Sequence, residues 1–167
     1  MKQILHKNKW FAIEKHVLKN GQEYFLLKKQ PTVFIVAETK DKKLVLVKEY
    51  RYPIKHIIWQ LPAGMVEGRD TLRSAKRELF EETGLRAKNW FKIGHFFVAP
   101  GHENTKIIVF VAKNLITTKD SYKTSEADIL EIKAFSESKI EEMIRDNKIL
   151  CSISLAALNL YYSGQVQ

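Results

Sequence analysis

Glu78, Glu81 and Glu82 place three carboxylates within little more than one helical turn, soon after a stretch punctuated by Gly64 and Gly68. Residues three and four apart share a helix face, so Glu78 lies beside both Glu81 and Glu82. Like charges so placed repel, and helix stability alone does not favour them. A divalent cation removes the repulsion, because hard cations gather several carboxylate oxygens at one point. Held there, magnesium can neutralise a pyrophosphate, orient it and activate water. The competing reading of such a run is a solvated acidic face.

Positioning these carboxylates requires a helix and a loop. Asp70 or Thr71 suits the helix N-cap, and Gly84 stands where a helix usually stops. Leu72, Ala75 and Leu79 recur at helical spacing and are expected to form the buried stripe, with the glutamates beside or opposite it. Trp59 to Pro62 reads as a strand end. Gly64 and Gly68 each allow positive φ or a close backbone approach. The predicted unit is a strand, a glycine loop and an acidic helix.

The segment Leu61-Pro62-Ala63-Gly64-Met65-Val66-Glu67-Gly68-Arg69-Asp70, continued by Arg77-Glu78-Leu79-Phe80-Glu81-Glu82-Thr83-Gly84-Leu85, resembles the Nudix box, G-x5-E-x7-R-E-U-x-E-E-x-G-U with U apolar. The second half matches at every specified position. The first half is one residue short, and with a gap in the loop Arg69 falls where the first glutamate belongs. In the family that glutamate braces the helix arginine, here Arg77; Asp70 is expected to take over that role if the loop tightens. The resemblance implies that Glu78 and Glu82 bind Mg²⁺, with Mn²⁺ as the alternative. Glu81 would contribute or tune, and the Ala63 carbonyl would be a further ligand.

Three more segments resemble the ADP-ribose pyrophosphatase branch of the family. Val47-Lys48-Glu49-Tyr50-Arg51 is similar to a strand whose arginine contacts substrate, a role carried to Arg51; an arginine fork suits phosphate. Trp59-Gln60-Leu61-Pro62-Ala63-Gly64 resembles Trp-Glu-Leu-Pro-Ala-Gly, with Gln60 replacing a glutamate that touches substrate. Trp59 reads either as a ring-stacking residue or as a core tryptophan. Ala99-Pro100-Gly101-His102-Glu103 resembles a segment that makes Glu103 a candidate substrate- or metal-facing carboxylate. The general base of this branch comes from a loop before the last strand, here Ser121 to Asp128, which offers Glu126 first and Asp128 second.

The resemblance implies hydrolysis of ADP-ribose or a related nucleoside diphosphate sugar to a nucleoside monophosphate and a sugar phosphate. GDP- or UDP-hexoses, an RNA 5′ end, or nucleotide sensing without cleavage stay open as alternatives. It also implies a homodimer paired through the N-terminal strands.

A chain of 167 residues with 45% hydrophobic content suits one globular domain with a sizeable core. No apolar run approaches the roughly 18 residues of a membrane span. The first residues lack a signal-peptide apolar region, and the single Cys151 excludes an intrachain disulfide, so a reducing cytoplasm is expected. The net charge of +9 favours polyanionic partners. The lysines look scattered, with no aromatic-interleaved RNA-binding motif, so most of the charge is expected to be solvated and nucleic acid is not the expected partner.

Trp10 to Leu18 and Glu23 to Lys28 alternate around Asn20-Gly21, a hairpin turn signal. Thr32 to Glu38, Leu44 to Arg51, Lys106 to Ala112 and Ile129 to Phe135 read as further strands, and Phe96 to Val98 leads into a turn. Ser138 with Glu141 forms a capping box that opens a helix through Asn147. Ser152 to Tyr162 reads as a last helix. The predicted fold is a single α/β domain over 1–167, an α/β/α sandwich with a mixed sheet. It is preceded within about 1–40 by a small antiparallel hairpin that serves dimerisation.

Overall fold

The computed structural model describes residues 2–117 and 129–164. It begins with an antiparallel sheet of β1 (Lys2–Lys7), β2 (Phe11–Val17) and β3 (Glu23–Lys29), in that order. The β2–β3 hairpin turns at Gly21, whose φ of 82° is open to glycine at no steric cost. β1 makes this unit three-stranded, where the sequence led us to expect a hairpin. All six of its residues are exposed, and its two apolar residues, Ile4 and Leu5, are adjacent and do not alternate.

The central sheet has the order β7-β4-β9-β8, built from β4 (Thr32–Ala37), β7 (Ala63–Met65), β8 (Leu85–Phe97) and β9 (Lys106–Thr117). β4 and β9 run parallel in the register Thr32↔Ile107 through Ala37↔Ala112. Their near-continuous apolar sequences fit a strand pair buried on both faces. Phe34, Val36, Ile107, Val109 and Val111 face one core with Leu158 and Met143, while Val33, Ile35, Ile108 and Phe110 face another with Ala75 and Leu79. A third sheet has the order β10-β5-β6, from β5 (Leu44–Arg51), β6 (His56–Gln60) and β10 (Ile129–Phe135).

Three helices cover these faces: α1 (Thr71–Thr83), α2 (Glu137–Arg145) and α3 (Ser152–Tyr162). Asp70 caps α1 by accepting from the Arg73 backbone N–H at 3.0 Å, and Gly84 closes it in the left-handed region. α2 is capped by Ser136, two residues earlier than the expected Ser138, with Ser136 Oγ accepting from the Lys139 N–H. α2 stops at Arg145, and Asn147 follows with φ of 56°. α1 and α3 pack on opposite faces of the β4–β9 pair, which gives the layered α/β architecture expected from the sequence. Among the described residues, no helix is long and apolar enough to cross a membrane.

Candidate functional site

α1 carries acids on its buried face. Ala75, Glu78, Leu79 and Glu82 follow the i, i+3, i+4, i+7 pattern of a core-facing stripe, and Glu78 and Glu82 are only 4% and 2% exposed. This corrects the expectation that the glutamates lie beside or opposite the stripe. Burying two carboxylates is costly unless their charge is met. Both are turned toward β7. Glu82 Oε2 accepts from the Ala63 backbone N–H at 3.1 Å. The Glu78 carboxylate lies against Gly64 so closely that a methyl group there would fall 2.0 Å from its Cδ. The two glycines of the loop therefore divide the roles open to them: Gly64 gives close approach, and Gly68, at φ of 70°, gives the left-handed turn.

Arg77 ties the loop to the helix. It donates to Glu78 at 2.5 Å, to Glu81 at 2.6 Å and to the Met65 carbonyl at 3.3 Å, with Glu67 at 3.6 Å. Burial opposes its charge, yet Glu78 and Glu81 outweigh burial and raise its pKa above the ordinary arginine value. The expected brace from Asp70 is not formed, because that carboxylate is spent on the helix cap; of the loop carboxylates it is Glu67 that approaches Arg77, at 3.6 Å. Ser74 fixes the same loop, accepting from the Glu67 N–H at 3.2 Å and donating to the Asp70 carbonyl at 3.1 Å. Arg69 and Arg73 line an adjoining cleft of about 380 Å³ with Arg77.

Arg77 engages both Glu78 and Glu81, but only Glu78 and Glu82 lie against β7, Glu78 on Gly64 and Glu82 on the Ala63 N–H. Among the described residues no three His, Cys, Asp or Glu groups converge on one point. Two buried carboxylates beside a glycine cradle nevertheless fit magnesium, which usually takes one or two carboxylates and completes its shell with water and substrate phosphate oxygens.

Arg51, at the end of β5, is held in a closed triangle. Its Nη1 lies 2.9 Å from Glu49 Oε1, and its Nε donates to Gln60 Oε1 at 3.3 Å. The Gln60 amide in turn donates to Glu49 Oε2 at 2.9 Å. Gln60 is 1% exposed and Glu49 5%, so Gln60 touches Arg51 from behind and offers no open surface. Trp59 is half-buried, edge-on to Phe135 at 4.9 Å with Lys48 near its ring, which is a core environment. Glu103, 7% exposed, accepts from Thr105 Oγ1 at 3.0 Å and lies 3.4 Å from Lys29 Nζ. It helps to fasten its loop to β3, where the Leu27 N–H donates to the His102 carbonyl at 2.9 Å. Glu126 and Asp128 lie outside the described residues.

Sequence reasoning missed Glu67, Glu49 and Ser74. The Glu67 position beside the shortened loop was a usable signal. The pairing of Glu49 with Gln60 depends on a strand register that sequence spacing does not supply.

A two-faced sandwich whose glycine loop and helix bring buried acids to a strand is the layout that the Nudix box encodes. The NUDIX domain family model matches residues 28–151, and the chain belongs to that family. It is similar to the ADP-ribose pyrophosphatase of Bacillus subtilis (strain 168), 33% identical over 108 residues that cover 64% of this chain and 58% of that protein. It is similar to the methanol dehydrogenase activator of Bacillus methanolicus, 28% identical over 144 residues, 84% of this chain and 78% of that one. The fold is that of a crystal structure described as an ADP compounds hydrolase, with a TM-score of 0.80 at 21% identity over 99% of this chain and 95% of the other. The chain thus spans little more than half the length of the Bacillus subtilis relative.

Proposed function

We propose that this chain hydrolyses the pyrophosphate bond of ADP-ribose or a related nucleoside diphosphate sugar, releasing a nucleoside monophosphate and a sugar phosphate. The observation that carries the reading is the burial of Glu78 and Glu82 against Ala63 and Gly64. The likeness to an ADP-ribose pyrophosphatase supports the substrate class.

Glu78 and Glu82 would hold the divalent cation, Mg²⁺ with Mn²⁺ as the alternative, together with the Ala63 carbonyl. The bound cation would supply charge neutralisation at the diphosphate and a water of lowered pKa. Arg77 steadies Glu78 and keeps Glu81 on the helix flank. Arg51, its guanidinium oriented by Glu49 and Gln60, binds the diphosphate oxygens. Glu126, with Asp128 as the second choice, takes the proton from the attacking water as that oxygen bonds to phosphorus and the bridging oxygen leaves. The N-terminal sheet, with Phe25 and Leu5 exposed, pairs two copies of the chain.

A hydrolysis screen over nucleoside diphosphate derivatives with Mg²⁺ and Mn²⁺, with products identified by mass, tests this. AMP and ribose 5-phosphate from ADP-ribose are expected. GMP with a hexose phosphate would move the assignment to nucleotide hexoses. Tight binding of ADP-ribose without any product would make the chain a sensor.

A further inference from the structure

The chain's positive charge is not spread evenly. Residues 1–31 hold seven lysines against Glu14 and Glu23, five of the nine net positive charges of the protein. Folding concentrates them further. A cavity of about 370 Å³ opens on the N-terminal sheet, lined by Lys2, Lys7, Lys9, Lys28 and Lys29 with Trp10 among its walls. Its size falls in the range of about 300–1,000 Å³ usual for ligand pockets.

The one carboxylate lining this cup is Glu14, 4% exposed on its floor. Three cationic or protonatable groups already share it: Lys2 at 2.8 Å, His16 at 3.0 Å and Lys28 at 3.9 Å. Lys2 and His16 hold the Glu14 carboxyl below its usual range. Lys29 turns to Glu103. Lys7 and Lys9 have no carboxylate partner among the described residues; Lys9 rests 4.3 Å above the Trp10 ring. Strand register places Lys2, Ile4, Glu14 and Lys28 on one face, with Phe25 on the other. Of the five lysines, Lys29 is offset by Glu103; the other four ammonium groups crowd around one carboxylate and repel each other, and an anion with several charges relieves that repulsion at several points at once.

We infer that this cup is a binding site for contiguous phosphate groups, distinct from the Glu78–Glu82 pair and independent of whether that pair hydrolyses anything. The ligand chemistry is a polyphosphate anion, whether free or as the backbone of a single-stranded nucleic acid. The expectation of scattered, solvated lysines is thereby revised for these five.

The test is calorimetric titration of the full chain, without divalent cation, with sodium tripolyphosphate and separately with a short single-stranded oligonucleotide, over a series of salt concentrations. The comparison proteins are the double variants Lys7→Glu/Lys9→Glu and Lys7→Arg/Lys9→Arg, whose positions are exposed and carry no ion pair that folding depends on. Binding should weaken as salt rises. The glutamate variant should bind roughly ten-fold more weakly with a salt slope smaller by about two, one per lost phosphate contact, while the arginine variant keeps wild-type affinity. Tripolyphosphate binding assigns the site to free polyphosphates; binding of the oligonucleotide alone assigns it to a nucleic-acid backbone. No binding in either arm, or equal affinity in the glutamate variant, overturns the inference.

Discussion

The Glu78 carboxylate occupies the space in which a side chain on Gly64 would begin: a methyl group there would sit 2.0 Å from Cδ and 2.2 and 2.3 Å from the two oxygens. Gly64 is not among the glycines with positive φ, so alanine meets no backbone penalty. The three nearest atoms all belong to the far end of the Glu78 side chain, which can shift at modest cost to the fold. Gly64→Ala should therefore keep a Tm near that of the wild type yet lose roughly 100-fold in turnover of ADP-ribose, the effect of about 1 Å of misplacement at a reacting centre. Full activity in a folded variant would show that the position of the Glu78 carboxylate does not matter.

Glu82→Gln separates metal binding from folding. A glutamine oxygen can still accept from the Ala63 N–H, while one buried charge disappears. Without metal the variant should be at least as thermostable as the wild type. The rise in Tm on adding Mg²⁺ should shrink, because a ligand stabilises only as far as it binds the native state. Turnover should fall about 10²–10³-fold or more, the scale of losing one electrostatic group at a reacting centre. An undiminished metal-induced shift in Tm would remove Glu82 from the ligand set.

The apolar spacing around Glu78, Glu81 and Glu82 was enough to predict the helix, and Asp70 and Gly84 marked its ends correctly. The same spacing hid the burial of Glu78 and Glu82, since charges are ordinarily assigned to the wet face and only the packing against β7 turns them inward. β8 escaped notice for a similar reason: Lys88, Asn89 and Lys92 break its apolar pattern, yet the strand is thirteen residues long and pairs with β9 on both sides of a register shift between Lys92 and Gly94. At Gln60 the family motif carried the residue type but not its burial beside Arg51 and Glu49. The lysines of the N-terminal sheet looked dispersed because strand pairing, not chain order, brings Lys2 and Lys28 to the same Glu14.

Gln60→Glu tests the triangle behind Arg51. In the wild type, one carboxylate faces one guanidinium, and the amide completes the ring. A second buried carboxylate beside Glu49 would repel it, so one of the two would hold its proton to a higher pH than an unfolded glutamate does. A group with a raised folded pKa costs stability as pH climbs through and beyond its unfolded value. The Tm deficit of the variant should be small near pH 4 and grow toward pH 8. KM for ADP-ribose should change with it, since Arg51 would be drawn back by added negative charge. A deficit that is independent of pH would mean that Gln60 serves packing alone.

Glu38 offers a pH test remote from the carboxylate pair. It lies at 4% exposure between Lys42 Nζ at 2.7 Å, Lys113 Nζ at 3.6 Å and the Tyr161 hydroxyl, which donates to it from α3. Burial raises its pKa, but the hydrogen bonds from Lys42 and Tyr161 prevail, with Lys113 adding to them, and leave it below the usual 4.5. For a carboxyl lowered on folding, the stabilisation is complete above the unfolded pKa and vanishes as pH falls through the folded one. Glu38→Gln keeps an acceptor for Tyr161 but does not titrate. Its Tm should lie below that of the wild type at pH 7, and the two curves should converge between about pH 5 and pH 3, as the wild type takes up the proton it had excluded. Scanning calorimetry across that range decides the matter. Curves that stay parallel to pH 3 would mean that the Glu38 charge contributes nothing to docking α3 on the sheet.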